Sequence, residues 1–331
     1  MESLTPSTVQ PPIQATSFDP SRYSTGAKYS LVLALGPEVP EVFLPVLLVR
    51  GSAPGKTLVV TAGVHGDEFE GIRTIFDLYA ELDPVSISGT LIAVPVANPP
   101  AFWNGSRTSP LDNANLARTF PGSEHGSPSQ VIAFHLGQSI IAHADFYVDL
   151  HSAGVKLLMP SMVGYDANDP RSYEAALAFG PPVIWGHPTM KPGRTLSFAG
   201  SRGIPWLYTE ARGAGRIDPA DLLMFKSGIL NLMRHLQILP GSPTPSPVQH
   251  RLLGDGDIDS SISSKWPGFL VPSVRLLECV KAGQELGYTV DLHGQLVESF
   301  RCPRDGVVAL IHVFPMLKPG ESVFLVTDLA K

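Results

Sequence analysis

An α/β domain followed by a small all-β domain is the fold class that three observations predict. Strand-like and helix-like runs alternate between residues 57 and 150, the pattern of helices packed on a sheet. The Pro-rich run 240–247 cannot continue a helix and reads as a stiff linker. Beyond it, residues 266–331 carry short β-rich runs turned by glycines at 283, 287, 294, 306 and 320. The expected divisions are an N-terminal extension over 1–28, a first domain over 29–240, a linker over 241–255 and a β domain over 256–331.

Residues 1–20 are rich in Pro, Ser, Thr and Gln and are expected to fray. Residues 29–35 and 42–50 are strand-like, and 57–62 form an apolar, β-branched strand. That strand runs into Gly63-Val64-His65-Gly66-Asp67-Glu68, after which Phe69, Ile72, Ile75, Phe76 and Tyr79 have helical spacing. A buried strand is expected over 90–97. Residues 98–127 lack periodicity, and a loop that long in a compact domain is usually functional or disordered. A helix over 128–143 leads to a strand that ends at His151. A helix near 170–180, strands near 182–186 and 205–210, and a helix over 219–236 complete the first domain.

The chain has 331 residues, and 24 Lys+Arg against 30 Asp+Glu give a net charge of −6. No Lys/Arg run accompanies this mild acidity, so a nucleic-acid partner is not expected. Gly 31 and Pro 32 together supply about one residue in five, which excludes a coiled coil or helical bundle. Two cysteines, Cys279 and Cys302, are too few for a disulfide framework or a cysteine-built zinc site. No run approaches the ~18 apolar residues of a membrane span. The opening residues carry no basic, apolar leader, so a cytoplasmic protein without a membrane partner is expected.

His65 and Glu68 stand three apart at the C-terminal end of an expected strand, and His151 ends another. Ligands of open α/β sheets bind at that edge. Gly63 and Gly66 let the backbone turn sharply around His65. Two histidines and a carboxylate match a catalytic zinc site, which uses three protein ligands and keeps one position open. Taken singly, each histidine reads more simply as a loop residue at a strand end.

Three motifs together resemble a known family. They are His65-Gly66-Asp67-Glu68, Asp149-Leu150-His151-Ser152, and Asn115-Leu116-Ala117-Arg118-Thr119-Phe120-Pro121-Gly122. They are similar to those of the succinylglutamate desuccinylase/aspartoacylase family, within the wider zinc carboxypeptidase-like superfamily. The resemblance implies a zinc carboxypeptidase-like mixed sheet flanked by helices, with a C-terminal small all-β domain. It implies one zinc per chain on His65, Glu68 and His151. Glu210, in Tyr208-Thr209-Glu210-Ala211-Arg212, matches the family's general base and acid. The resemblance further implies that Arg107 supports the oxyanion and that Arg118, Arg194 and Asn115 meet the substrate. Asp149 would steady His151 from behind. One departure is Ala117, where the family pattern Asn-Leu-Asn-Arg has its second Asn. A side-chain amide that would share the substrate carboxylate is missing there.

The C-terminal region looks similar to lipoyl- and biotinyl-carrier folds, but its central turn Asp291-Leu292-His293-Gly294 carries no lysine. A structural or oligomerisation role is the simpler expectation, and a homo-oligomer is left open. The expected function is hydrolysis of a short acyl group from an N-acylated amino acid or related small molecule. Two alternatives stand beside it. One is a relative cleaving an amide or ester of a larger, more apolar substrate in a specialised pathway. The other is a metal-free binding scaffold.

Overall fold

The computed structural model describes residues 11–254 and 256–330. Its centre is a large mixed sheet. From one edge the strands run Ile13–Gln14, Ala27–Ala34, Phe43–Arg50, Ser88–Val94, Ala53–Ala62, Phe146–Ser152, Trp206–Ala211, Met162–Asp166 and Val183–His187. The strands Ser88–Val94, Ala53–Ala62, Phe146–Ser152 and Trp206–Ala211 lie mutually parallel. Both faces of this parallel block are covered, so its strands are nearly continuous apolar runs. Leu58 and Val60 pack in a core with Ile75, Phe179 and Phe225. Val59, pointing the other way, packs with Val131, Leu136 and Phe198.

Helices form where the periodicity predicts them, at Glu70–Glu81, Pro170–Phe179 and Pro219–His235. The expected helix over 128–143 is instead divided. An α-helix over Pro128–His135 widens into a π turn over Leu136–Ile140 and ends in a 3-10 turn over Ile141–His143. Gly137 lies in the widened turn, where a Cβ would come within 2.9 Å of the Phe198 ring.

The segment 98–127 is more ordered than its lack of periodicity suggests. Pro99–Asn104 is a short helix whose first turn is capped by Asn98, which accepts from the amide of Ala101 at 3.4 Å. Gly105, at φ 59, ends it in the left-handed conformation. A second piece, Leu116–Arg118, is a 3-10 turn capped by Asn115. Residues 11–20, expected to fray, also pack down. Ile13–Gln14 pairs with the 27–34 strand, and Ala15 and Phe18 join the core. Their apolar side chains outweigh the polar composition around them. The first ten residues lie outside the described ones.

The C-terminal part is shared between two sheets. Gly268–Pro272, Glu285–Val290, Leu296–Arg301 and Met316–Leu317 form a small antiparallel sheet. Gly306–His312 and Ser322–Leu329 instead extend the large one. The connection is His250–Leu253, a strand within the stretch read as linker. It pairs in parallel with Val183–His187 and antiparallel with Ser322–Leu329. The predicted class is therefore observed: a large mixed sheet with helices and a separate small all-β sheet. Among the described residues no helix is long and apolar enough to cross a membrane.

Candidate metal and catalytic site

Two adjacent parallel strands deliver the predicted cluster. Ala62 pairs with Leu150, so the chain leaves Ala53–Ala62 and Phe146–Ser152 at the same edge. Gly63, at φ 64, turns the backbone there. Gly66 sits so close to the 99–104 helix that a Cβ would lie 2.0 Å from the carbonyl carbon of Ala101. Its amide donates to the Ser106 carbonyl at 2.9 Å, which ties the loop down.

His65, Glu68 and His151 offer one ligand atom each, all within 4.8 Å of one another, and can hold a metal ion. Both histidines turn Nδ1 toward Glu68, at 2.7 Å for His65 to Oε1 and 2.8 Å for His151 to Oε2. The outward nitrogens are also engaged. His65 Nε2 donates to Asn115 Oδ1 at 3.2 Å, and His151 Nε2 lies 3.1 Å from Asp149 Oδ2. An imidazole that donates its far N–H to such a partner keeps the near nitrogen as a lone pair, the usual arrangement behind a metal-binding histidine. Asp149 is fully buried and accepts from Thr61 and Thr195 as well, at 2.7 and 2.5 Å. Replacing Asp149 by Asn should weaken metal binding about 10–100-fold. Competition with a chromogenic chelator measures this, and an unchanged affinity would reduce Asp149 to a strand-end residue.

The electrostatics follow the packing. Burial, reinforced by the Arg107 charge, pushes His65 down to about 4, so it is neutral as a ligand must be. Burial also pushes Glu68 upward, but His65 and His151 hold its carboxylate well below the usual range. Burial opposes a charge on His151, yet Asp149 and Glu68 on either side raise it well above the ordinary histidine value.

Glu210 is Cα partner to His151 across the parallel pair, which sets the two side chains together. Its Oε2 is buried with no hydrogen-bond partner among the described residues. Burial and the Glu68 charge push Glu210 up to about 8. A buried carboxyl with an unused oxygen beside a cation site is suited to proton transfer. Arg107 reaches the same cluster, with Nη1 3.1 Å from Glu68 Oε1.

These groups face a cavity of about 120 Å³. Arg118 and Arg194 also line it, and both are engaged by the chain itself. Arg118 Nη2 binds Asp257 Oδ1 at 3.0 Å and its Nε binds Asp259 Oδ2 at 2.8 Å. Arg194 Nη2 and Lys191 Nζ meet Asp257 Oδ2 at 2.6 and 2.9 Å. Asn115 accepts from the amide of Ala117 at 2.9 Å besides facing His65, so its neighbours are the turn and the histidine. Lys191, Asp257 and the apolar wall of Leu310 and Leu325 escaped the sequence reading. They come from the segment after the domain's last helix, or from a loop with no motif. Among the ring side chains at the neighbouring strands, His187 lines the cavity and binds the Tyr208 hydroxyl at 2.9 Å, whereas Trp185 and Trp206 are core.

A model of the succinylglutamate desuccinylase/aspartoacylase catalytic domain matches residues 54–236. Over 299 residues the sequence is 30% identical to the N-alpha-acetyl-L-2,4-diaminobutyric acid deacetylase of Halomonas elongata, covering 88% of this chain and 87% of that one. The product-bound structure of the ectoine utilization protein EutE (DoeB) from Ruegeria pomeroyi is similar at TM-score 0.83 and 27% identity, over 92% of this chain and 96% of that one. A succinylglutamate desuccinylase/aspartoacylase from Rhodobacter sphaeroides is similar at TM-score 0.80 and 28% identity, again over 92% and 96%.

Proposed function

The chain belongs to the succinylglutamate desuccinylase/aspartoacylase family, and from that premise we propose that it is a zinc-dependent amide hydrolase. It would remove a short acyl group from an N-acylated amino acid or a related small molecule. The observation that carries this is the pairing of Glu210, with its unpartnered oxygen, beside the His65, Glu68 and His151 cluster. Two imidazole nitrogens and one carboxylate are the donor set of a catalytic zinc with an open position. When bound, one zinc per chain would make water acidic enough to ionise near neutrality and polarise the acyl carbonyl.

The chain's own residues do the rest. Asp149 and Asn115 hold the two imidazoles with Nδ1 turned inward. Glu210 accepts the proton of the attacking water and returns it to the departing amine nitrogen. Arg107, beside Glu68, sits where a guanidinium can receive the charge that develops on the carbonyl oxygen. Arg118 and Arg194 line the same cavity and would orient the remainder of the substrate. The two cysteines are free thiols, in keeping with a cytoplasmic location.

The apolar residues Leu157, Met159, Met190, Ile258, Leu310 and Leu325 along the cavity favour a second reading, a larger and more apolar substrate cleaved by the same chemistry. Amine release from N-acetyl, N-succinyl and longer N-acyl amino acids separates the two readings. N-acetyl-2,4-diaminobutyrate is the first compound to assay, after the Halomonas relative. Turnover is expected on at least one compound of the short-acyl series. No release from any member would overturn the proposal.

A further inference from the structure

Asp257 lines the cavity together with the cations Arg118, Lys191 and Arg194 and pairs with all three. It follows Arg118 by 139 residues in sequence, yet its side chain is only 4% exposed and touches three cations. Its position is fixed independently of them, because it caps the 3-10 turn Ile258–Ser260 by accepting from the amide of Asp259 at 3.2 Å. Burial pushes its carboxyl up, but Lys191 and Arg194 bring it down to about 2, so it is a permanent anion.

Three of the five N–H groups of Arg118 are therefore engaged by the chain itself, one on each nitrogen. Nη1 binds the Ala117 carbonyl at 3.1 Å, Nη2 binds Asp257 and Nε binds Asp259. A guanidinium recognises a carboxylate through two parallel N–H groups, and here those groups are taken by two carboxylates of the same chain. Ala117 agrees with this independently. At the position where an amide would share a substrate carboxylate, the side chain is a methyl group that is 8% exposed.

We propose that Asp257 is a specificity-determining residue, an internal carboxylate that fills the seat between Arg118 and Arg194 and excludes substrates with a carboxylate at that end. A substrate anion there would lie against Asp257 or have to displace it, and rejection by like charge is a standard route to specificity. The substrates accepted carry a neutral or cationic group at that end. This rests on the amide-hydrolase reading for its catalytic consequence, but not for its binding consequence.

The test uses the full chain with zinc bound, as wild type, Asp257→Asn, Asp257→Ser and Asp259→Asn. Asn and Ser both keep a cap for the 258–260 turn. Succinate binding is measured by calorimetry, and kcat/KM is compared for N-acetyl-L-aspartate and N-acetyl-L-alanine. Asp257→Asn should tighten succinate binding and raise the aspartate-to-alanine ratio, each on the order of tenfold, the second mainly through KM. Asp259→Asn should do so more weakly, since Asp259 is exposed and, among the described residues, its side chain pairs with Arg118 alone. If either folded Asp257 variant binds succinate no better than wild type, the inference is overturned and Asp257 is a structural clip. Absence of turnover on every N-acyl compound would instead sink the hydrolase reading, with succinate binding still deciding this one.

Discussion

Exchanging Glu210 for glutamine will lower kcat about 10²–10⁴-fold, the span of general acid–base contributions, with one zinc per chain retained. Glutamine keeps the shape of the side chain and its place beside His151, but it cannot take up or deliver a proton. Steady-state kinetics with elemental analysis of the same sample checks both halves. Unchanged turnover would remove Glu210 from the chemistry, and lost metal would move it into the binding site. The same variant has a stability signature in metal-stripped protein. Glu210 is pushed up to about 8 in the folded chain, against about 4.3 in an unfolded one. A carboxyl raised in this way costs nothing below pH ~4.3. The cost grows as pH rises toward 8 and is complete above it. The melting temperature of Glu210→Gln should therefore gain on wild type as pH rises through that window. A constant difference would mean that the enclosed carboxyl ionises freely.

Removing the ion will have the largest effect of all. Chelation, or replacement of His65, Glu68 or His151 by alanine, should reduce activity by ~10³-fold or more, since polarisation of a carbonyl by a metal is worth several kcal/mol. Zinc should restore the chelated wild type but not the variants. His65 and Glu68 are each 3% exposed, so their loss also leaves buried polar atoms without partners. Chelation is the cleaner comparison for that reason. Wild-type protein purified with essentially no metal, and unaffected by added zinc, would favour the scaffold reading.

The parts of this site that were legible in the sequence are those written locally. His65 and Glu68 lie on one turn, His151 closes an apolar strand, and Glu210 ends another. A strand end is visible in a pattern of side chains, and parallel neighbours bring such ends to one edge. Asp257 was not legible, because nothing near it in sequence signals a partner 139 residues away. The same holds for Leu310 and Leu325, whose strands join the large sheet through long-range pairing. Periodicity registers burial on a face but not which sheet receives it, so the C-terminal strands were read as β without their partner. The order within the 98–127 segment escapes periodicity for another reason. Its ordered pieces are single turns held by Asn98 and Asn115 caps, too short for any period to show.

The strand His250–Leu253 has a mechanical consequence. It is stitched to Val183–His187 on one side and Ser322–Leu329 on the other, so the wall bearing Leu310 and Leu325 is continuous with the floor that bears Glu210. Such a wall cannot swing aside as a door without tearing ladder hydrogen bonds. Arg107 and the stretch from Thr189 to Arg194 also line the cleft but lie outside those strands, so traffic in and out is expected to depend on them. Slow exchange would be traced to those loops, and cross-linking the sheet edge should leave turnover untouched.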